Sequence, residues 1–157
     1  MYLKRFFKIF STMTCCFILL FSSFRSFAYE NVSTTEIEYL DDGTYFEITI
    51  EEVPSIARAS TITGKKTAKQ KSANGTVLWS VTVTGTFSYN GKTAKCTKAT
   101  DSVTSPGPYW SIASSSASKS GATAKATATA KKTVNGRVTQ KVTKTIKLTC
   151  SPSGKLS

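Results

Sequence analysis

The sequence predicts an all-β protein: an antiparallel β-sandwich of six to seven strands with one disulfide. Three observations lead there. Apolar and polar residues alternate with period two over 77–89 and again over 122–130. Turn signals (Asn90-Gly91, Ser120-Gly121 and Asn135-Gly136) punctuate the chain at strand-length intervals. Residues from Pro54 onward carry seventeen Lys/Arg, one acidic residue (Asp101) and no histidine, interleaved with Thr and Ser as on solvated sheet faces.

Residues 1–28 read as a secretory signal peptide. Lys4, Arg5 and Lys8 precede an apolar run from Ile9 to Phe21, and Ser26-Phe27-Ala28 supplies a small-x-small cleavage site. Residues 29–43 are polar and acidic and are expected to form a flexible arm, with the sandwich domain occupying 44–157. Phe46, Ile48 and Ile50 alternate with Glu47, Thr49 and Glu51, which predicts an edge strand over 45–53. A Ser/Lys/Ala/Thr-rich connector follows, with a short strand at 59–63.

Val77, Trp79, Val81, Val83, Phe87 and Tyr89 share one parity, while Leu78, Ser80, Thr82, Thr84, Thr86 and Ser88 take the other. That is a half-buried strand, with Gly85 marking a bulge or a close approach on its buried face. Asn90-Gly91 predicts a type I′ turn with positive φ at both residues. The chain returns over 92–100 with Ala94 and Cys96 inward. Trp110 and Ile112 place a strand at 109–117. Ala122, Ala124, Ala126, Ala128 and Ala130 alternate with Thr and Lys, a period of two that excludes helix despite the helical preference of alanine. Val138, Val142, Ile146, Leu148 and Cys150 line the inner face of the last strand. A three-residue loop at 134–136 would set Ala128 opposite Val142 and Ala124 opposite Ile146, keeping the alanines on the apolar side.

Export implies an oxidising compartment. Cys15 and Cys16 leave with the signal, so Cys96 and Cys150 remain and are expected to form a disulfide. Neither a C-x-x-C spacing nor a histidine supports a metal or redox role for them, and no cofactor is expected.

Residues 29–53 hold eight acidic and no basic residues, ahead of the strongly basic body. With no histidine and one carboxylate after Pro54, the body lacks the acid–base pairs that hydrolases need, so the sequence argues against an enzyme. Ser116-Ala117-Ser118-Lys119 matches the S-x-x-K signature of serine acyl-enzymes, but it falls on a strand and lacks S-D-N and K-T-G companions. Gly64-Lys65-Lys66-Thr67 lacks the upstream glycine of a phosphate loop. Lys125, Lys131, Lys141, Lys144 and Lys147, on the last two strands, are the candidate anion-binding residues. The partners they suggest are anionic cell-wall polymers or membrane surfaces, with Glu47, Glu51 and Glu52 competing for the same lysines. Nucleic acid is disfavoured by export, by the two arginines left after the signal, and by aromatics on the buried parity. The alternative is an effector that assembles by exchanging strand 45–53. The sequence leaves oligomeric state open.

Cys96, Trp110 and Cys150 together resemble the Cys…Trp…Cys framework of immunoglobulin domains, which implies an Ig-like sandwich with the tryptophan on an inter-sheet disulfide. Leu148 stands where that family has a tyrosine, and seven residues follow Cys150. The acidic segment after the signal, Leu78-Trp79-Ser80-Val81, Tyr89-Asn90-Gly91, Cys96 and Leu148-Thr149-Cys150 also resemble small exported proteins of Gram-positive bacteria with no assigned activity.

Overall fold

A computed structural model describes residues 34–53 and 60–157; the expected signal segment lies outside the described residues. Eight strands follow one another: β1 (Thr34–Tyr39), β2 (Tyr45–Val53), β3 (Thr61–Lys71), β4 (Val77–Tyr89), β5 (Ala94–Thr104), β6 (Trp110–Ser120), β7 (Thr123–Val134) and β8 (Arg137–Thr149). They form two antiparallel sheets in sequential order, β1-β2-β3-β4-β5 and β6-β7-β8, whose apolar faces share one core. Among the described residues there are eight strands rather than six or seven, and none is interleaved as in immunoglobulin domains.

Two expectations about the acidic segment change. Residues 34–39, expected within a flexible arm, form a strand paired along its length with β2. The segment 45–53 is therefore not an edge: β2 lies between β1 and β3, and exchanging it would break two ladders.

The parity read from 77–89 holds from Trp79 to Phe87; at its start a bulge at Leu78 breaks the phase, and Leu78, expected on the polar face, packs against the core. Trp79, Val81, Val83 and Phe87 are fully buried and meet Ala124, Ala126, Ala128 and Ala130 of β7. Large residues on one sheet against methyl groups on the other bring the backbones close. A Cβ built on Gly85 would come within 2.9 Å of the Ala124 methyl. Gly64 pairs directly with Gly85, opening a notch in the five-stranded sheet. Leu148 and Leu156 fill it on the Gly64 side, and the Phe87 ring fills it on the Gly85 side.

Turns and bulges set the register differently from expectation. Tyr89 pairs with Ala94, so Asn90-Gly91-Lys92-Thr93 is a four-residue loop in which the Asn90 side-chain oxygen accepts from the Lys92 and Thr93 amides. Only Gly91 of the expected type I′ pair has positive φ. At Asn135-Gly136 both residues do (50° and 76°), and Val134 pairs with Arg137 across a two-residue turn. A bulge at Thr139 then shifts the ladder by one residue. Ala130 faces Val142, Ala126 faces Ile146 and Ala124 faces Leu148. The alanines reach the apolar side as expected, through a turn plus a bulge rather than a three-residue loop. Val138 precedes the bulge and is consequently exposed, not inward.

The seven residues after Cys150 fold back over the end of the sandwich. Thr149 and Ser157 exchange backbone hydrogen bonds, the Gly91 amide donates to Pro152, and Leu156 is buried.

A hydrogen-bonded chain runs from core to surface. The indole N–H of Trp79 donates to Gln70 Oε1, Gln70 Nε2 donates to Thr44 Oγ1 (2.8 Å), and Thr44 Oγ1 donates to Asp42 Oδ1 (2.6 Å). From the other sheet, Gln140 Nε2 donates to Asp42 Oδ2 (2.7 Å). The chain satisfies the Trp79 indole and the Gln70 amide, both on fully buried residues, which would otherwise oppose folding.

Candidate functional site: the outer face of the three-stranded sheet

Alanines occupy the inner face of β7, so the period of two sends Thr and Lys outward. Pairing aligns this outer face into rungs across the sheet: Ser120–Thr123–Thr149, Ser118–Lys125–Lys147, Ser116–Thr127–Thr145, Ser114–Thr129–Thr143 and Ser111–Lys131–Lys141. The middle rungs are tied by hydroxyl–hydroxyl hydrogen bonds, Thr127–Thr145 at 2.9 Å and Thr129–Thr143 at 2.8 Å. Two lysine pairs bracket a field of hydroxyls. Six residues separate Lys125 from Lys131, about 20 Å along the strand.

The charge arrangement is unusual for a sheet. Lys125 lies directly opposite Lys147, and Lys131 directly opposite Lys141. Like charges in register destabilise a sheet, and no acidic residue occurs anywhere on β6, β7 or β8. The other sheet differs. On its outer face Glu47 faces Lys69 and Glu51 faces Lys65, while Glu47 also bridges Lys71 at 2.7 Å. On that face the β3 lysines have glutamates beside them, whereas Lys95 and Lys98 of β5 have none in register; the three-stranded sheet carries no acidic residue at all.

Of the five lysines singled out in the sequence, the structure brings four together. Lys144 is the exception. It pairs with Ala128 on the inner parity, and its ammonium sits 4.5 Å from the centroid of the Phe46 ring and on the Glu38 carboxylate. Its neighbours Val142, Ile146 and Leu148 share that parity in the sequence, a signal that would have placed it inside. Glu47 and Glu51 are on the opposite sheet, so they do not compete for the four outer lysines as expected. The hydroxyl partners escaped the sequence reading, because they emerge only once three strands are in register.

A shallow cavity of about 340 Å³ lies at one end of this face, lined by Ser118, Ser120, Thr123, Lys125 and Lys147. Its floor is the β6–β7 hairpin. That hairpin is held by the Cys96 amide donating to the Gly121 carbonyl (2.8 Å) and the Cys150 amide donating to the Ala122 carbonyl (3.0 Å). Cys96 and Cys150 thus flank two consecutive residues. Both are buried thiols, so the expected bridge is not formed in this structure. Burial pushes both thiols up, and a Cys96 thiolate would raise Cys150 further. Trp110 lies at the far end of β6, about 30 Å along the strand from this pair, so the immunoglobulin arrangement of tryptophan on cysteines is absent.

The remaining motifs resolve structurally. Ser116 and Lys119 point to opposite faces of β6, with Lys119 donating to the Thr97 carbonyl. Gly64-Lys65-Lys66-Thr67 lies within β3 rather than in a loop. Among the described residues no cluster of three or more His, Cys, Asp or Glu is arranged to hold a metal ion. Comparison with known proteins finds no matching family model, no matching curated protein and no matching solved structure.

Proposed function

We propose that this is an exported, non-enzymatic β-sandwich that binds anionic cell-envelope polymers through the outer face of its three-stranded sheet. Lys125, Lys147, Lys131 and Lys141 carry the attraction, and the threonine rungs between them hydrogen-bond neutral, hydroxylated stretches of the polymer. One observation carries the reading: two lysine pairs stand in register on a face without a carboxylate, while on the opposite sheet Lys65, Lys69 and Lys71 have glutamates beside them. A bound polyanion relieves the repulsion that this register imposes. Lysine supplies point charges without the planar fork of arginine, which suits a repeating polymer better than a single shaped ligand.

The test is retention on purified cell-wall polyanion across a salt series. Binding should weaken steeply between about 50 and 500 mM salt, because exposed charges are screened within about a Debye length. Salt-independent retention would remove electrostatics as its basis.

Export also bears on the cysteines. Thiol–disulfide exchange with a disulfide-bearing oxidant outside the cytoplasm would join Cys96 Sγ to Cys150 Sγ. The two thiols lose two protons and two electrons, and the oxidant's disulfide is reduced to two thiols. The bridge closes a loop of about 54 residues and contributes about 4 kcal/mol on the chain-entropy model. Mass spectrometry of the exported protein should find it two hydrogens lighter than the reduced chain, and quantitative alkylation of both cysteines without reductant would rule the bridge out.

A further inference from the structure

The cavity at the Lys125–Lys147 rung differs from the rest of the face, and we infer that it is a subsite for a phosphoryl group, the phosphate ester of an envelope polymer. This rests on the polymer-binding reading and narrows its ligand class. Cross-strand partners place their Cβ atoms about 5 Å apart, so two lysine ammoniums can converge on one group between them. Ser118, Ser120 and Thr123 line the same cavity with three hydroxyls. Five donor groups line the one cavity, more than a planar carboxylate with two oxygens and one charge can satisfy. A phosphate monoester offers three strong acceptor oxygens and a charge of about −1.5 to −2 near neutral pH, matching two lysines and the surrounding hydroxyls. The second rung, Lys131–Lys141, has Ser111 in register beside it and stands near the β7–β8 turn at Asn135-Gly136. All five lining residues carry a hydroxyl or an ammonium, which favours a phosphate on a hydrated polymer over a headgroup at a bilayer surface.

The experiment is an NMR titration of the full mature chain with inorganic phosphate and, separately, acetate at matched ionic strength. The expected result is saturable amide shifts at residues 118–125 and 147 with phosphate, and at least about tenfold weaker binding of acetate (about 1.4 kcal/mol). Phosphate affinity should fall several-fold from pH 7.5 to 5.5 as the dianion is protonated to the monoanion and loses charge. No acidic residue occupies β6–β8. Lys125→Ala with Lys147→Ala should abolish the shifts, whereas Lys131→Ala with Lys141→Ala should leave them. Equal affinity for acetate, no pH dependence, or equal loss in both double variants overturns the subsite, even where polyanion retention persists. Retention by anionic vesicles but not by a soluble phosphate-bearing polymer also overturns it. Loss of salt-sensitive retention on every polyanion is the separate failure of the underlying reading.

Discussion

Gly64 and Gly85 face each other across β3 and β4, and the notch they leave seats Leu148, Leu156 and the Phe87 ring. Two adjacent strands without side chains at one rung leave room for the C-terminal segment to close the core. A Cβ at Gly85 would approach both the Phe87 ring (2.6 Å) and the Ala124 methyl (2.9 Å), with no flexible neighbour to yield. At Gly64 it would strike the end of the Leu156 side chain, which can move.

Gly85→Ala should therefore destabilise the fold by about 1–3 kcal/mol, the range for overpacking a filled core. Gly64→Ala should cost less in global stability but raise proteolytic sensitivity of residues 150–157. Urea unfolding and limited proteolysis check the two separately. Equal stability of Gly85→Ala and the parent protein would contradict close approach of the sheets.

Asp42 terminates the hydrogen-bonded chain from Trp79. Hydrogen bonds from the Thr44 hydroxyl and then the Thr44 amide hold its carboxyl below the ordinary value of 3.8, with Gln140 adding a smaller contribution. A carboxylate with a depressed folded-state pKa stabilises the fold above its unfolded value, and this is lost as pH falls through the folded value. Asp42→Asn should be less stable than the parent protein at pH 7, and the difference should shrink as pH drops below about 4. Denaturation series at pH 7, 4, 3 and 2 check this. At the buried end, Trp79→Phe leaves Gln70 Oε1 without its donor and should cost about 1–3 kcal/mol beyond the lost volume.

Lys144 separates structure from binding. Its ammonium joins Glu38 on β1 to Phe46 on β2 from the opposing sheet, facing away from the lysine–threonine rungs. Lys144→Met keeps the aliphatic stem and removes the charge. It should lower thermal stability and loosen β1, seen as faster amide exchange at 34–39, while leaving polyanion retention unchanged. Equal loss of retention with Lys144→Met and Lys147→Met would undo the face assignment.

How much of this was legible in the sequence varies with the physics of each element. The centre of strand β4 was readable, because Trp79, Val81, Val83 and Phe87 keep one parity across Gly85, whereas the bulge at Leu78 was not. The alanine strand was readable too, since a strict period of two outweighed helix propensity. Strand β1 was not: all six of its residues are exposed, and its acidic composition reads as solvated chain until β2 is there to pair with it. The bulges at Thr97, Ala113 and Thr139 carry no local signature, yet each inverts the faces beyond it. That is why Val138 was placed inside. Of the site, the basic strands were legible, whereas the in-register lysine pairs and serine partners arise only from the pairing of three strands.

The most direct measurement compares the two outer faces after removal of equal charge. The fourfold variant Lys125→Ala, Lys131→Ala, Lys141→Ala, Lys147→Ala is set against Lys65→Ala, Lys69→Ala, Lys95→Ala, Lys98→Ala in retention on cell-wall polyanion at about 100 mM salt. The first set should abolish retention, and the second should reduce it only modestly. Equal losses from the two variants would mean that net charge alone draws the protein to polyanions, and that the face of paired lysines is not a binding surface.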